Sequence, residues 1–591
     1  MCSIEGFTGK HDFTIQEFTA FNKERGPDDT GYYVDENVAI GHNLLSIYDN
    51  PSNVKQPFMD GKGCVLSYNG EIYAHRGQAL PKGMLDTLWL SAQLSPKSIH
   101  NRMNHPAHNT EGFAELYDEV DGMWAFSYYN PHAKTILLCR DHFGVKPLYY
   151  LEFRGNLFWS STMKPLLAVM RHYGQMKHID DLGMKMREAD GWIIAPNTHI
   201  RGIKSLFPGQ YLTWSIEQGR FTRKNGCLWR EGDWDLSPNY NYDPEEFQEL
   251  LLDSTEKCFR VGDHKKAISL SGGLDSTLLL GMTKDLPIDL MTTTVRFEGK
   301  VDEDTHVPYM GEADMALKSA EWSGIPHSEA ICKEDFSDGM FDVYSRLNQY
   351  VWLSSRIMPR WYNILNAKEQ GAKIYFSGDM ADEIVTGYGN HQNYFISKDR
   401  GGLQRYNMDG PGIREKFPTG VYDEFASWFP FSVYHGDEVN NNLFLRLMQS
   451  TDSFCTVLDH LCGSLGMESR VPYLYQRWAK YAMRIPSATK LRLPYERETD
   501  TAIPAVRSHG SKTRDGRWTM NRIRGSYKWL FREEMKDYLP EHVRVDPEKV
   551  GFSTPWNSRD QALNNEIRIE EIKSVYPKLF HNYLFDCTKK M

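Results

Sequence analysis

Short apolar runs broken by turn residues set the pattern of the chain from residue 1 to about 213. Asn37-Val38-Ala39-Ile40-Gly41, Gly63-Cys64-Val65-Leu66-Ser67-Tyr68 and Thr135-Ile136-Leu137-Leu138-Cys139 are strand-like by length and residue type, and they predict a mainly β sandwich with a few helices. From about 216 to 243 the chain becomes polar and rich in Trp, Asn and Asp, which reads as a linker. The period then changes. Pro244 to Arg260 has helical spacing, Ala267-Ile268-Ser269-Leu270 is a short buried strand, and Ser276-Thr277-Leu278-Leu279-Leu280 opens a helix. Such alternation predicts a parallel α/β sheet. The last 150 residues are more helical, with Lys528 to Tyr538 the clearest amphipathic stretch, and no internal repeat or low-complexity tract is present.

At 591 residues the chain exceeds one compact core, and the change of period divides it into two expected domains, residues 2–213 and 244–591. Hydrophobic residues make up 40% and charged residues 25%, the balance of an ordinary globular protein. A net charge of -10 argues against nucleic acid or an anionic membrane as partner, since both need broad basic patches. No run reaches the roughly 18 apolar residues of a membrane span, and Glu5, Lys10, His11 and Asp12 interrupt any early signal-like segment. Nine scattered cysteines without a CxxC pair fit reduced thiols, so a cytoplasmic location is expected.

Cys2 follows the initiator methionine, so methionine removal leaves a thiol beside a free α-amine. That amine, with an ordinary pKa near 8, can take the thiol proton, so nucleophile and base come from one residue. A lone cysteine at this position is more often accidental than catalytic. Three further segments change the balance: Arg25-Gly26-Pro27-Asp28, Asn69-Gly70-Glu71-Ile72-Tyr73 and Arg140-Asp141-His142-Phe143-Gly144-Val145-Lys146-Pro147. In order and spacing, together with Met1-Cys2-Ser3-Ile4, they resemble the class II glutamine amidotransferases. The resemblance implies an α+β N-terminal-nucleophile hydrolase sandwich that hydrolyses glutamine. It assigns Asn69 and Gly70 to the oxyanion site and Asp86, with Glu71 nearby, to the amino group of glutamine. One position departs. In Gly41-His42-Asn43-Leu44-Leu45-Ser46-Ile47, Leu44 stands where the family carries an arginine for the glutamine carboxylate. The departure implies a compensating cation, weak glutamine binding or ammonia as the practical nitrogen source.

In the second half, Ser271-Gly272-Gly273-Leu274-Asp275-Ser276 lies between a strand and a helix, where small residues and a helix N-terminus suit a phosphate. Asp275 beside it suits magnesium bridged through phosphate oxygens. Ser377-Gly378-Asp379-Met380-Ala381-Asp382-Glu383 follows a second short strand, and Gly466-Met467-Glu468-Ser469-Arg470-Val471-Pro472 lies further on. Together these segments are similar to the asparagine synthetase family, over most of residues 245 to 556. The resemblance implies an α/β adenine-nucleotide-hydrolase-like (PP-loop) domain that uses ATP and Mg2+. It gives the second metal carboxylate to Asp382, a place beside the adenylate to Asp379, and the pyrophosphate cations to Lys528 and Lys549. It assigns Ser269, Leu270, Ser271, Gly272, Gly273, Ser276, Val295, Ser377 and Gly378 to ATP. For Arg524, Lys528 and Arg532, four apart, a solvated basic helical stripe is the competing reading.

The acceptor is read from Asn348-Gln349-Tyr350-Val351-Trp352-Leu353-Ser354-Ser355-Arg356, in which Arg356 keeps the family register as a carboxylate clamp while Asn348 and Leu353 do not. The expectation is synthesis of asparagine from aspartate with glutamine-derived ammonia through β-aspartyl-AMP, releasing AMP and pyrophosphate. Small-molecule substrates are the implied partners, and a homodimer is compatible with the family. Two alternatives stay open: amidation of a different carboxylate on the same fold, and a non-catalytic glutamine-sensing or scaffold protein.

Overall fold

The computed structural model describes residues 1–48, 54–81, 84–95, 120–175, 180–190, 193, 195–231, 237–297, 312–332, 343, 357–387, 437–490, 511–512, 518–519 and 528–545. Two antiparallel sheets make the first half. One runs Ile203–Ser205, Tyr149–Phe153, Asn156–Ser160, Ser3–Thr8, Val38–Leu44, Asp29–Val34. The other runs Arg220–Cys227, Gln210–Ser215, Thr135–Arg140, Val120–Asn130, Val65–His75, Phe58–Met59, with Gln78–Ala79 paired to the Val65 strand.

Alternation along the strands decides what lies between the sheets. Ile4, Ile40, Leu157 and Trp159 of the first sheet meet Val65, Ala125, Ile136 and Leu138 of the second in one core. The opposite faces are also apolar and take helices. Phe7, Phe158 and Leu151 pack on Ile15, Phe18, Leu166 and Leu167 from helices Ile15–Ala20 and Lys164–His172. Tyr68, Ile72 and Phe126 pack on Trp89, Leu90 and Leu94 of helix Asp86–Leu94. The result is the expected α+β sandwich, with helices on both outer faces.

The stretch read as a linker is partly sheet. Strand Arg220–Cys227 pairs with Gln210–Ser215 and forms the edge of the second sheet, and Trp229 behind it is buried with its indole N–H donating to the His142 carbonyl (2.8 Å). Exposed Arg220, Thr222 and Lys224 alternate with half-buried Phe221 and Arg223. That is the period of an edge strand, hidden in composition by its polar outer face.

The second half is built on a five-stranded parallel sheet in the order His327–Cys332, Leu290–Phe297, Lys266–Ser269, Ile374–Phe376, Glu468–Arg470. Helix Pro244–Arg260 opens this half, with Asp243 capping the Glu245 N–H. The chain steps outward from Lys266–Ser269 to Leu290–Phe297 and His327–Cys332, then returns to the other side of the starting strand with Ile374–Phe376. Strand order therefore reverses between Lys266–Ser269 and Ile374–Phe376, and the crevice at their carboxyl ends is where an open α/β sheet binds ligands. Both predicted phosphate-site segments emerge there. Among the described residues, no helix is long and apolar enough to cross a membrane.

The two halves share a core. Met1, Ile47, Tyr73, Met123, Phe143 and Val145 pack in the same cluster as Phe376, Met467 and Val471.

Candidate functional sites

Cys2 lies just ahead of strand Ser3–Thr8, half-buried, with its thiol facing the Leu45 carbonyl (3.8 Å) and its own carbonyl accepting from Arg25 Nε (3.3 Å). Burial pushes the thiol up to about 11, so it is protonated at neutral pH and needs a base to become a nucleophile. In this chain Met1 precedes it, buried, its amine donating to the Met467 carbonyl (3.0 Å) and lowered by burial to about 5.

Asn69 and Gly70 sit on strand Val65–His75, opposite Ala125 and Trp124. Asn69 is buried, and its Nδ2 has no hydrogen-bond partner among the described residues. A buried, unsatisfied donor is costly, and it is what a developing oxyanion requires. A Cβ on Gly70 would lie 2.1 Å from the Met123 carbonyl oxygen, so only glycine lets the strands close here. Asp86, at the start of helix Asp86–Leu94, accepts from the Tyr68 hydroxyl (2.9 Å) and from the Ile72 (3.2 Å) and Thr87 (2.7 Å) N–H groups. Burial outweighs these bonds and raises its carboxyl to about 6.

Sequence reasoning missed how the Arg140–Pro147 segment is held. Asp141 accepts from the backbone N–H of Trp124, Phe143, Val145 and Lys146, and Arg140 donates to the Lys146, Leu206 and Gly144 carbonyls. This motif is a structural knot that aims Lys146 inward, toward Met1 Sδ (2.9 Å) and Asp459 (3.9 Å).

A buried charge cluster joins the halves. Burial, with the charges of Glu468 and Asp86, raises the Glu71 carboxyl; burial also opposes ionisation of Glu468, yet Arg470 holds it below the usual range. Arg470 pairs with Glu468 (2.7 Å) and donates to the Cys258 (2.6 Å) and Val261 (2.8 Å) carbonyls. Removing one partner of such a pair strands the other, so Arg470→Met is expected to cost about 3–5 kcal/mol, read as a lowered urea midpoint. A midpoint within experimental error of the parent would contradict that role.

In the second half, strand Lys266–Ser269 runs through buried Leu270 into the loop, and helix Leu274–Thr283 follows with Gly273 as its N-cap. The Ser271 N–H and hydroxyl both meet Ser276 Oγ (3.1 and 3.0 Å), and the Gly273 N–H donates to Ser271 Oγ (3.3 Å). Gly272 has φ +71, and a Cβ there would lie 2.5 Å from the Met315–Ala316 backbone, so a side chain fits neither the conformation nor the space. The Tyr473 hydroxyl donates to the Asp275 carbonyl (2.8 Å), and Gly378 packs against Asp275 and Ser276. The loop after Ile374–Phe376 is thereby brought onto the loop after Lys266–Ser269. Ser269 accepts from Asn363 Nδ2 (3.0 Å), and Val295 lies half-buried on the neighbouring strand.

Lys528 closes the arrangement. Its Nζ contacts Asp275 and lies 2.6 Å from Asp382 Oδ1, with only 3% of the side chain exposed. Burial works against this ammonium, and the two carboxylates outweigh it and raise its pKa. Lys528 is the left-handed cap (φ 49) of helix Trp529–Glu534, while Arg532 donates to the Val543 (2.6 Å) and Arg544 (2.8 Å) carbonyls. The competing reading, a solvated basic stripe, does not hold at either residue, and neither does the surface expectation for Arg532: Lys528 is turned toward Asp275 and Asp382, and Arg532 ties down a turn. Arg356, Lys549 and Arg524 lie outside the described residues.

A Cβ on Gly387 would fall 1.5 Å from Asp382 Oδ1. Gly387→Ala is expected to displace that carboxylate, and with it the Lys528 side chain whose Cε the methyl would also meet (2.5 Å), and to cut pyrophosphate release by roughly a hundredfold. Full activity in that variant would remove Asp382 from the site.

Comparisons with known proteins show the family of each half. The model of the glutamine amidotransferase domain matches residues 1–225, and that of asparagine synthase matches residues 246–572. Asparagine synthetase B [glutamine-hydrolyzing] of Escherichia coli is 26% identical over 504 residues, covering 83% of this chain and 76% of that protein. A putative asparagine synthetase [glutamine-hydrolyzing] 2 of Methanocaldococcus jannaschii is 26% identical over 433 residues, covering 66% of this chain and 76% of its own length. Asparagine synthetase [glutamine-hydrolyzing] 2 of Bacillus subtilis is 29% identical over 526 residues, covering 80% and 64%. The chain belongs to the asparagine synthase family, and is an ATP-dependent ligase carrying an N-terminal glutamine amidotransferase domain.

Proposed function

We propose that the chain makes asparagine from aspartate, with nitrogen released from glutamine at Cys2 and carboxylate activation by ATP at the loop Ser271–Ser276. The observation that carries this reading is the convergence of Asp275, Asp382 and Lys528 at the reversal point of the parallel sheet, in a chain whose other half presents a thiol near its N-terminus.

After Met1 is removed, the Cys2 amine takes the thiol proton and the thiolate attacks the glutamine amide. Asn69 Nδ2 and the Gly70 N–H stabilise the tetrahedral oxyanion, an effect worth about 3 to 4 kcal/mol for a good donor. Asp86 and Glu71 bind the glutamine amino group. Collapse releases ammonia and leaves a thioester, which water hydrolyses to glutamate. At the second site the aspartate β-carboxylate attacks the α-phosphorus of ATP, and pyrophosphate leaves toward Lys528. Ammonia then displaces AMP to give asparagine. Ammonia in bulk water at neutral pH is mostly ammonium, which is not a nucleophile, so transfer inside the protein is favoured.

Two carboxylates already arranged around a cation, Lys528, suit magnesium shared with phosphate oxygens. Asp275 and Asp382 would hold it, and when bound it would neutralise charge on the phosphates. A second reading, amidation of a different carboxylate, is favoured by Met380, which adopts φ 73 where glycine is at ease. Pyrophosphate release with ATP, magnesium and glutamine or ammonium as nitrogen source, with and without aspartate, tests the proposal. Aspartate-dependent release with asparagine in the products is the expected result; release that depends on another acid and not on aspartate would overturn it.

A further inference from the structure

Helix Thr456–Ser464, in the second half, carries Thr456, Asp459, His460 and Gly463 at intervals of three and four, which places them on one face. The stripe is polar, yet all four residues are buried, and its contacts are with the N-terminal half. Arg140 Nη2 donates to Thr456 Oγ1 (3.2 Å), and Arg25 Nη2 pairs with Asp459 Oδ1 (2.7 Å). Arg25 Nη1 donates to His460 Nδ1 (3.3 Å), and His460 Nε2 meets the Tyr149 hydroxyl (3.3 Å). Burial pushes the His460 imidazole well below its usual range, so the ring is neutral and Nδ1 is free to accept. A Cβ on Gly463 would lie 2.7 Å from Arg25 Nη1 and 3.3 Å from its Cγ, so the bare glycine leaves room for the arginine to lie across the helix.

Arg25 reaches Cys2 at the same time. Its Nε donates to the Cys2 carbonyl (3.3 Å), so one guanidinium spans the Cys2 backbone and a carboxylate of the other half. Asp459 is fully buried, with Lys146 of the N-terminal half 3.9 Å away as a second cation. Apolar side chains of similar volume would join two halves as well as a buried ion pair does, so docking alone does not call for this one. Its placement has a chemical consequence. Thiol and amine both belong to Cys2, so the orientation of that backbone sets the distance from nucleophile to base and their approach to the amide.

We propose that Asp459 is a positioning residue for nitrogen release: from the synthetase half it fixes the Arg25 guanidinium, and through Arg25 it holds the Cys2 backbone in its attacking orientation. The inference rests on reading Cys2 as the nucleophile; it adds that the N-terminal site is completed by a side chain of the other half. Asp459 acts on the orientation of the attacking group rather than on a substrate contact, so its loss lowers kcat for glutamine hydrolysis and leaves KM nearly unchanged. The fork of Arg25 is what lets one side chain serve the carbonyl, the imidazole and the carboxylate together.

The test follows two reactions of the full chain at Cys2: alkylation by iodoacetamide, read by mass spectrometry of the N-terminal peptide, and glutamate formation from glutamine. Ammonium-dependent pyrophosphate release with aspartate and ATP is the control for the second half. Asp459→Asn removes the charge, while Gly463→Ala displaces Arg25 and leaves Asp459 in place. Both are expected to slow alkylation and the kcat of glutamate formation by roughly thirtyfold, with the KM for glutamine within about threefold and the ammonium reaction within about twofold of the parent. In an Arg25→Met background, Asp459→Asn is expected to add less than about twofold, since its effect runs through the arginine. Alkylation at the parent rate in both variants overturns the proposal, and so does a full thirtyfold further loss on top of Arg25→Met. Equal loss of the ammonium reaction also overturns it, because Asp459 would then only dock the halves. If the parent forms no glutamate, the reading of Cys2 as a glutaminase nucleophile fails by itself, and the alkylation rates still decide whether Asp459 positions that residue.

Discussion

Cys2→Ala is expected to lower glutamine-dependent amide synthesis by roughly ten-thousandfold, while the ammonium-dependent reaction stays within about twofold of the parent. Loss of the nucleophile removes the covalent route altogether. The packing cost is small, because among the described residues the thiol's hydrogen bond is a long approach to the Leu45 carbonyl, and the Arg25 bond is to the Cys2 backbone, which alanine retains. Neither of these bonds involves Asp275, Asp382 or Lys528, so nucleotide chemistry should be untouched. The check is a pair of rate measurements on the same preparation, one with glutamine and one with ammonium. Equal loss of both would mean that the thiol is needed for the fold or for adenylation, and the separation of the two sites would fail.

Asp382→Asn should give the opposite pattern. Pyrophosphate release is expected to fall roughly a thousandfold whatever the nitrogen source, as several kcal/mol of charge stabilisation are lost, while glutaminase activity persists. Asparagine keeps the size and hydrogen-bonding shape of the side chain but not its charge. Lys528 would then face Asp275 alone, and any magnesium held between the two carboxylates loses one of them. Measured pyrophosphate release at the parent rate would take Asp382 out of the site. The two variants together separate nitrogen supply from carboxylate activation more sharply than either does alone.

What could be read from sequence was largely local. The Ser271–Ser276 loop carries its strand, its small residues and its helix within a few positions, so its structure was legible. Helix Pro244–Arg260 was legible for the same reason, with cap, period and proline in one segment. Less legible were contacts made over long stretches of chain. Lys528 and Asp275 are 253 positions apart, and the left-handed cap through which the chain turns at Lys528 leaves no local signal of that contact. Arg360 lies 19 positions before Asp379 with no motif to join them. Arg470 stood in a quoted motif, yet its bonds to the Cys258 and Val261 carbonyls depend on where helix Pro244–Arg260 ends. The linker reading failed at Arg220–Cys227 because composition does not register alternation on an edge strand.

Leu44 illustrates the same limit. It ends strand Val38–Leu44, paired with Asp29, and an aliphatic side chain there offers glutamine no charge. Its effect on nitrogen supply is a matter of rate rather than of fold, and the glutamine reaction of the parent reads it directly.

The most direct test of the central claim, that one chain releases nitrogen at one site and uses it at another, is transfer of label from glutamine carrying isotopic nitrogen in its amide. The full chain is incubated with that glutamine, aspartate, ATP and magnesium in the presence of unlabelled ammonium. The account predicts labelled asparagine, with AMP and pyrophosphate formed in equal amounts to it. Unlabelled asparagine alone would show that the N-terminal half does not feed the synthetase, and ADP with phosphate in place of AMP with pyrophosphate would contradict adenylation.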